Sequence, residues 1–263
     1  MRPDTMRGVP SEPSTPHLAA PPLPYRILIG TFHKTGSVLM ARLWRDGCKA
    51  LGLRFWPMHA GNRAEPAAWD VCFEDHSRFP PEALAKPHRG ALVIRDPRDI
   101  IISGAHYHTH STEGWLHRPK PAFGGLTYQQ KINSLPTPEA RLLFEMRQVA
   151  ARTFRDIDAA MRRHPDFHVA RFEELVSDPA MRGYRAMFTA LGFEGAAQEA
   201  LRAAARRHSL FTGRVENPEH VRSGRPGEWR TGFSERVMRA FMEAHGDLPQ
   251  RWGYPGPEGV ALS

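Results

Sequence analysis

The run Tyr25-Arg26-Ile27-Leu28-Ile29-Gly30-Thr31-Phe32-His33-Lys34-Thr35-Gly36-Ser37 decides how this chain is read. Its first half is a short apolar run between Pro24 and Gly30, which predicts a buried strand. Its second half is a tight loop of glycine, hydroxyl residues and one lysine. From about Ser37 to Leu51, Val38, Met40, Leu43 and Trp44 recur at helical spacing, so a helix opens where the loop ends. A strand, a tight loop and a helix N-terminus make an anion site, because backbone N–H groups point outward and the helix dipole favours negative charge. Lys34 adds a full positive charge; Thr35 and Ser37 add hydroxyl donors. The loop departs from the nucleotide P-loop G-x-x-x-x-G-K-[ST]: His33, not glycine, precedes Lys34, and Leu28 stands where the first glycine belongs. The plainer alternative is a Lys-Thr-Gly-Ser turn that only caps a helix.

Outward from this run, strands and helices alternate. Val71-Cys72-Phe73, Ala91-Leu92-Val93-Ile94 and the stretch from Phe167 to Phe172 read as further strands. Pro97 suits the first turn of a helix running through Ile100, Ile101 and Ile102. A long helix is predicted from Pro138 to Arg163, and others at about 179–191, 196–207 and 234–245. This order predicts an α/β fold: one P-loop-like domain with a mostly parallel central sheet and helices on both faces. Residues 1–24 hold seven prolines and no apolar face, so they read as a disordered tail ahead of a domain at 25–263. No signal-peptide core follows Arg2 and Arg7, which implies a cytoplasmic location. No apolar run approaches the ~18 residues of a membrane span.

The 263 residues are 41% hydrophobic and 24% charged, which excludes a wholly disordered chain, a coiled coil or a collagen-like protein. The net charge is +8, yet Lys supplies only 5 of the 36 cations. The arginines scatter over many helices instead of forming one stripe, so nucleic acid is not the expected partner. Cys48 and Cys72 each sit among apolar residues and read as buried free thiols.

Two further segments carry chemistry. Arg95-Asp96-Pro97-Arg98-Asp99 follows a strand and opens a helix that includes Ser103; a guanidinium at a strand's carboxyl end faces the crevice where α/β sheets bind ligands. An Arg–Asp cluster that merely caps the helix is the alternative. Val221-Arg222-Ser223-Gly224-Arg225-Pro226-Gly227-Glu228-Trp229-Arg230 is a loop able to wrap an anion with guanidinium and backbone donors.

Taken in order, the three segments resemble the sulfotransferases that use 3′-phosphoadenosine 5′-phosphosulfate (PAPS). Lys34-Thr35-Gly36-Ser37 resembles their 5′-phosphosulfate loop, Arg95 with Ser103 their 3′-phosphate motif, and Arg222-x-Gly224 with Gly227-Glu228-Trp229 their C-terminal loop. Val169-Ala170-Arg171-Phe172-Glu173-Glu174-Leu175 with Asp178-Pro179 resembles a further stretch of the family. The resemblance covers about residues 25–245. It implies sulfuryl transfer from PAPS to an acceptor, most often a hydroxyl, leaving adenosine 3′,5′-bisphosphate (PAP). By the same resemblance the donor would be held by Lys34, Thr35, Gly36, Ser37, Val38, Arg95, Ser103, Phe172, Arg222, Ser223 and Gly224, with Lys34 and Ser103 also serving catalysis. No metal is implied, since fixed cations do the work Mg²⁺ does in kinases.

The family's catalytic base is a histidine at a strand end between the first two motifs. The matching stretch here is Phe73-Glu74-Asp75-His76, and His76 suits proton abstraction near neutral pH. Glu74 and Asp75 replace the family's Lys-Thr, Leu39 replaces the adenine-stacking Trp, Phe172 replaces a Tyr, and Ser223 replaces a Lys. The acceptor, whether small molecule, glycan, lipid or peptide, is not legible. The alternatives are a P-loop-related nucleotide-dependent kinase, which lacks its Walker loop here, and a basic nucleic-acid-binding protein. His106-x-His108-x-His110 reads as a polar wall or a solvent-facing stretch rather than a metal site, having no third ligand. Residues 111–135, with little periodicity, read as an acceptor loop or a floppy insertion.

Overall fold

In the computed structural model, residues 23–58, 64–209 and 225–256 are described. Five strands form one sheet: β1 Arg26–Gly30, β2 Phe55–Met58, β3 Val71–Glu74, β4 His88–Ile94 and β5 His168–Arg171. The order is β2-β3-β1-β4-β5, and every pairing is parallel. Twelve helices accompany it among the described residues: α1 Ser37–Leu51, α2 Pro81–Leu84, α3 Pro97–His108, α4 Tyr128–Asn133, α5 Pro138–Glu145, α6 Ala151–Arg163, α7 Phe172–Ser177, α8 Arg182–Ala190, α9 Gly195–His208, α10 Trp229–Gly232, α11 Glu235–His245 and α12 Leu248–Arg251. The expected single α/β domain with a central parallel sheet is what is found.

Strand side chains alternate between the two faces, and both faces are buried. Leu28, Cys72, Leu92 and Ile94 join a core with Ile101 of α3, Leu142 of α5 and Phe154 of α6. Ile27, Ile29, Val71, Phe73 and Val93 join a second core with Trp44 of α1, Phe188 of α8 and Leu201 of α9. Each fully buried aliphatic side chain contributes about 1.5–3 kcal/mol through burial. Gly47 lets α9 lie close on α1, since a Cβ there would stand 2.5 Å from Leu201.

The long helix expected at 138–163 is continuous, but its middle, Met146–Ala150, is a π-helical turn joining α5 to α6. β2 was not expected. Phe172 ends no strand; it opens α7. Segment 111–135 holds two 3₁₀ turns, Gly114–His117 and Pro121–Phe123, and then α4. Its Leu116, Tyr128 and Ile132 are fully buried together, which removes the floppy reading. Both cysteines are buried free thiols, as expected. No helix among the described residues is long and apolar enough to cross a membrane. The expected tail at 1–24 lies outside the described residues except for its last two positions.

Register places the site. Gly30 pairs with Glu74 of β3 and with Leu92 of β4. The loops after β1, β3 and β4 therefore emerge side by side at one sheet edge. The chain runs from β1 to β2 and β3 on one side, then crosses to β4 on the other. That reversal opens the crevice where parallel sheets bind ligands.

Candidate active site

The loop after β1 is held by its own hydroxyls. Thr35 Oγ1 accepts from the Phe32 N–H at 2.8 Å and donates to the Phe32 carbonyl at 3.0 Å. Thr31 Oγ1 donates to Ser37 Oγ at 2.8 Å, and Ser37 Oγ donates to the Phe32 carbonyl at 3.2 Å. The Thr35 and Ser37 hydroxyls here close the loop onto the Phe32 carbonyl. What the loop presents instead is backbone. Gly36 sits in the left-handed region at φ 98°, where glycine alone is unstrained, and no side chain caps α1. The amides of Ser37, Val38 and Leu39 are consequently open to an anion.

Lys34 is also left-handed, at φ 66°. Its Nζ rests 3.5 Å from the centre of the Tyr107 ring and makes no ion pair among the described residues. Burial, reinforced by nearby Arg95, lowers its pKa to about 7. Arg95, at the carboxyl end of β4, is buried and donates from Nη1 to the Lys34 carbonyl at 3.3 Å. Its guanidinium lies 4.7 Å from the Phe172 ring, and its buried Nε has no partner among the described residues. Phe172, expected to contact a nucleotide, packs beneath Gly36 and Arg95; a Cβ on Gly36 would stand 2.8 Å from its ring.

The Arg–Asp cluster after β4 divides its tasks. Asp96 caps α3 by accepting from the Arg98 N–H and pairs with the buried Arg98 guanidinium at 2.7 Å. Arg95 takes no part in that pair and faces the loop. Ser103 is half-buried on α3. Of the third segment, Arg222, Ser223 and Gly224 lie outside the described residues. Gly227 and Trp229 are anchored to α3 through Asp99, at 2.6 and 3.0 Å.

The turn after β3 carries His76. Glu74 is buried and folds back, its Oε2 accepting from the N–H groups of His76 and Arg78 at 2.8 and 2.6 Å. Ser77, at φ 55°, donates to the Thr31 carbonyl at 2.9 Å and ties this turn to the Lys34 loop. His76 Nδ1 lies 2.8 Å from Asp75 Oδ1, and that hydrogen bond raises the imidazole pKa. Nearly half of the His76 side chain is exposed.

Residues outside these motifs also reach the site. His33 Nε2 is 2.8 Å from His108 Nε2, and His108 Nδ1 is 2.7 Å from Glu145 Oε2. Tyr128 donates to the same Glu145 oxygen at 2.8 Å. His108 is fully buried, which corrects the solvent-facing reading of the three alternate histidines for this member; only His106 and His110 are exposed. No group of three or more metal-ligating side chains occurs among the described residues.

The fold is shared with sulfotransferases of known structure. Mouse sulfotransferase SULT7A1 complexed with PAP superposes with a TM-score of 0.55 at 12% identity, covering 90% of this chain and 90% of that one. Retinol dehydratase in complex with androsterone and inactive cofactor PAP superposes at 0.54 with 14% identity, over 88% of this chain and 82% of the other. The same enzyme with retinol and PAP superposes equally, covering 83% of that chain. No family model matches the sequence, and no curated protein matches it.

Proposed function

We propose that this protein is a PAPS-dependent sulfotransferase that delivers a sulfuryl group to an acceptor hydroxyl, and that its domain runs from 25 to 263. The observation that carries the reading is the junction of Lys34 and Arg95. One hydrogen bond joins the helix-opening loop to the strand-end arginine, whose buried Nε is still unpartnered. A buried guanidinium with an unused N–H is costly unless an acceptor reaches it, and phosphate is the natural one. That the solved structures with this fold hold PAP supports the same ligand.

PAPS supplies a sulfuryl group bonded through a bridging oxygen to a 5′-phosphate that departs as an anion. Toward it, the amides of Ser37 and Val38, presented by the Gly36 turn, would bind the 5′ end, with Thr35 and Ser37 shaping the loop. Lys34 would hold the bridging oxygen, where negative charge grows as the bond breaks. Arg95 and Ser103 would hold the 3′-phosphate, with Arg222, Ser223 and Gly224 completing that grip by resemblance. Phe172 would act from below, by fixing Arg95 and Gly36. His76, oriented by Asp75 through Nδ1, would accept the acceptor's proton at its Nε2. No step calls for a metal.

The test is a radiolabelled transfer screen. Protein and ³⁵S-PAPS are incubated with phenols, sterols, sugars, lipids and peptides. Label in one acceptor class is the expected result. Label in none, together with Mg²⁺-dependent ATP turnover, would replace the reading with a kinase.

A further inference from the structure

A chain of buried polar groups ends at the proposed sulfuryl site, and its direction is set from its far end. Glu145 closes α5 almost wholly buried. It lies against α3 where Gly104 makes room; a Cβ there would stand 2.5 Å from Glu145 Oε1. A carboxylate only accepts, so both the Tyr128 hydroxyl and His108 Nδ1 donate to it. Assigning the single ring proton of His108 to the Nδ1–Glu145 bond leaves its Nε2 to accept. The donor to it is His33 Nε2, at 2.8 Å. The proton of His33 is thereby committed to Nε2, and its Nδ1 keeps a lone pair. That Nδ1 takes no hydrogen bond among the described residues.

The network finishes on the partly exposed imidazole of the residue next to Lys34, with its Nδ1 lone pair unused among the described residues. We propose that His33 is a second catalytic histidine of this site, its Nδ1 able to take the acceptor's proton beside or in place of His76, with His108 and Glu145 as positioning residues. The inference rests on the sulfuryl-transfer reading above. In the step, the acceptor's O–H bond breaks and the proton passes to His33 Nδ1. The oxygen's electron pair forms the new O–S bond. The bond from sulfur to the bridging oxygen breaks, and its pair leaves with the 5′-phosphate.

The groups facing His33 agree with that role. Lys34 adjoins it, His76 approaches from the turn after β3, and His108 and Glu145 approach from α3 and α5; the Tyr107 and Trp115 rings flank it. Burial, the largest cause, together with the neighbouring Lys34 cation, pushes its pKa well below the ordinary value, so it is a neutral base at neutral pH. Asp75 pushes His76 the other way. The two histidines therefore titrate on opposite sides of about 6.5.

Two measurements test this. The first is the ring ¹⁵N spectrum of the wild-type protein, without ligand. The expected result is a proton on Nε2 and none on Nδ1 of His33 at pH 7; a protonated Nδ1 overturns the proposal. The second is sulfate release from ³⁵S-PAPS to water by His33→Ala, His76→Ala, Glu145→Gln and the double-histidine variant, with PAP binding by calorimetry as the folding control. Each single histidine variant is expected to lose roughly 10²-fold in kcat and the double variant all measurable turnover. Residual turnover in His76→Ala should rise through a pH below about 6.5. Glu145→Gln should match His33→Ala and add little to it. His33→Ala that binds PAP and keeps full turnover in both backgrounds overturns the proposal. A wild-type protein that does not bind PAP overturns the sulfuryl-transfer reading, and the binding measurement tells that failure apart.

Discussion

The carboxylate of Asp99 accepts a hydrogen bond from the backbone of Trp229 at 3.0 Å, and another from Gly227. One buried side chain on α3 thus holds the start of α10 and the Gly-Glu-Trp stretch beside the strand-end arginine. Asp99→Ala leaves two amides without an acceptor, each worth about 1–3 kcal/mol when buried. The expected outcome is a lower urea midpoint with an unchanged m-value, and weaker PAP binding by calorimetry.

PAP is expected to raise the melting temperature well beyond what ADP achieves. On the proposed reading, Arg95, Ser103 and Arg222 would grip only a ligand with a 3′-phosphate. At ~100 Kd of ligand the stabilisation is about 2.7 kcal/mol. Equal shifts from both nucleotides in a thermal melt would point to a general nucleotide site instead.

Lys34→Ala is expected to lower kcat by on the order of 10²–10³-fold while changing PAP affinity much less, because its charge opposes one that develops during bond breaking. The same residue gives a pH dependence. Its pKa near 7 means the ammonium is present below that pH and lost above it. Because that charge acts in bond breaking, wild-type kcat should fall as pH rises through about 7 while PAP affinity changes little. Transfer rates across pH 6–8.5 check this, and Lys34→Arg should flatten the curve.

Gly36→Ala puts a Cβ within 2.8 Å of the Phe172 ring at a φ of 98°. The strain should cost about 1–3 kcal/mol and spoil the loop that aims the α1 amides. A chemical melt and PAP titration of Gly36→Ala against Gly52→Ala separate the two effects. Gly52 shares a positive φ but has open space around it, so its variant should bind PAP normally.

Which parts were legible follows from how local each signal is. Ser37–Leu51 is read at its true ends because its apolar spacing and its flanking glycines at 36 and 52 are adjacent in sequence. β1 and β4 are apolar runs that need no partner to be seen. β2 escapes because Phe55-Trp56-Pro57-Met58 has a proline inside a four-residue run; it survives as an edge strand, where that missing N–H costs nothing. The hydroxyls of Thr35 and Ser37 turn to the Phe32 carbonyl, a contact set by the fold of the loop and not by residue type alone. The histidine chain is invisible in sequence: His33 and His108 are 75 residues apart, His108 and Glu145 another 37, and no short motif spans them.

The last described residues bear on the Arg95 segment. Arg98 donates to the carbonyls of Pro255 at 2.9 Å and Gly256 at 3.5 Å, and the Tyr254 hydroxyl donates to Glu173, whose other oxygen accepts from the Asp96 amide. The turn that aims Arg95 is braced by chain made some 160 residues later. During synthesis on the ribosome, β1, β4 and their loops emerge early, yet the brace arrives only when residues 254–256 clear the exit tunnel. A nascent chain therefore carries the whole Lys34 loop while still lacking the support under Arg95, so on the proposed reading a complete phosphate grip would form only late in synthesis.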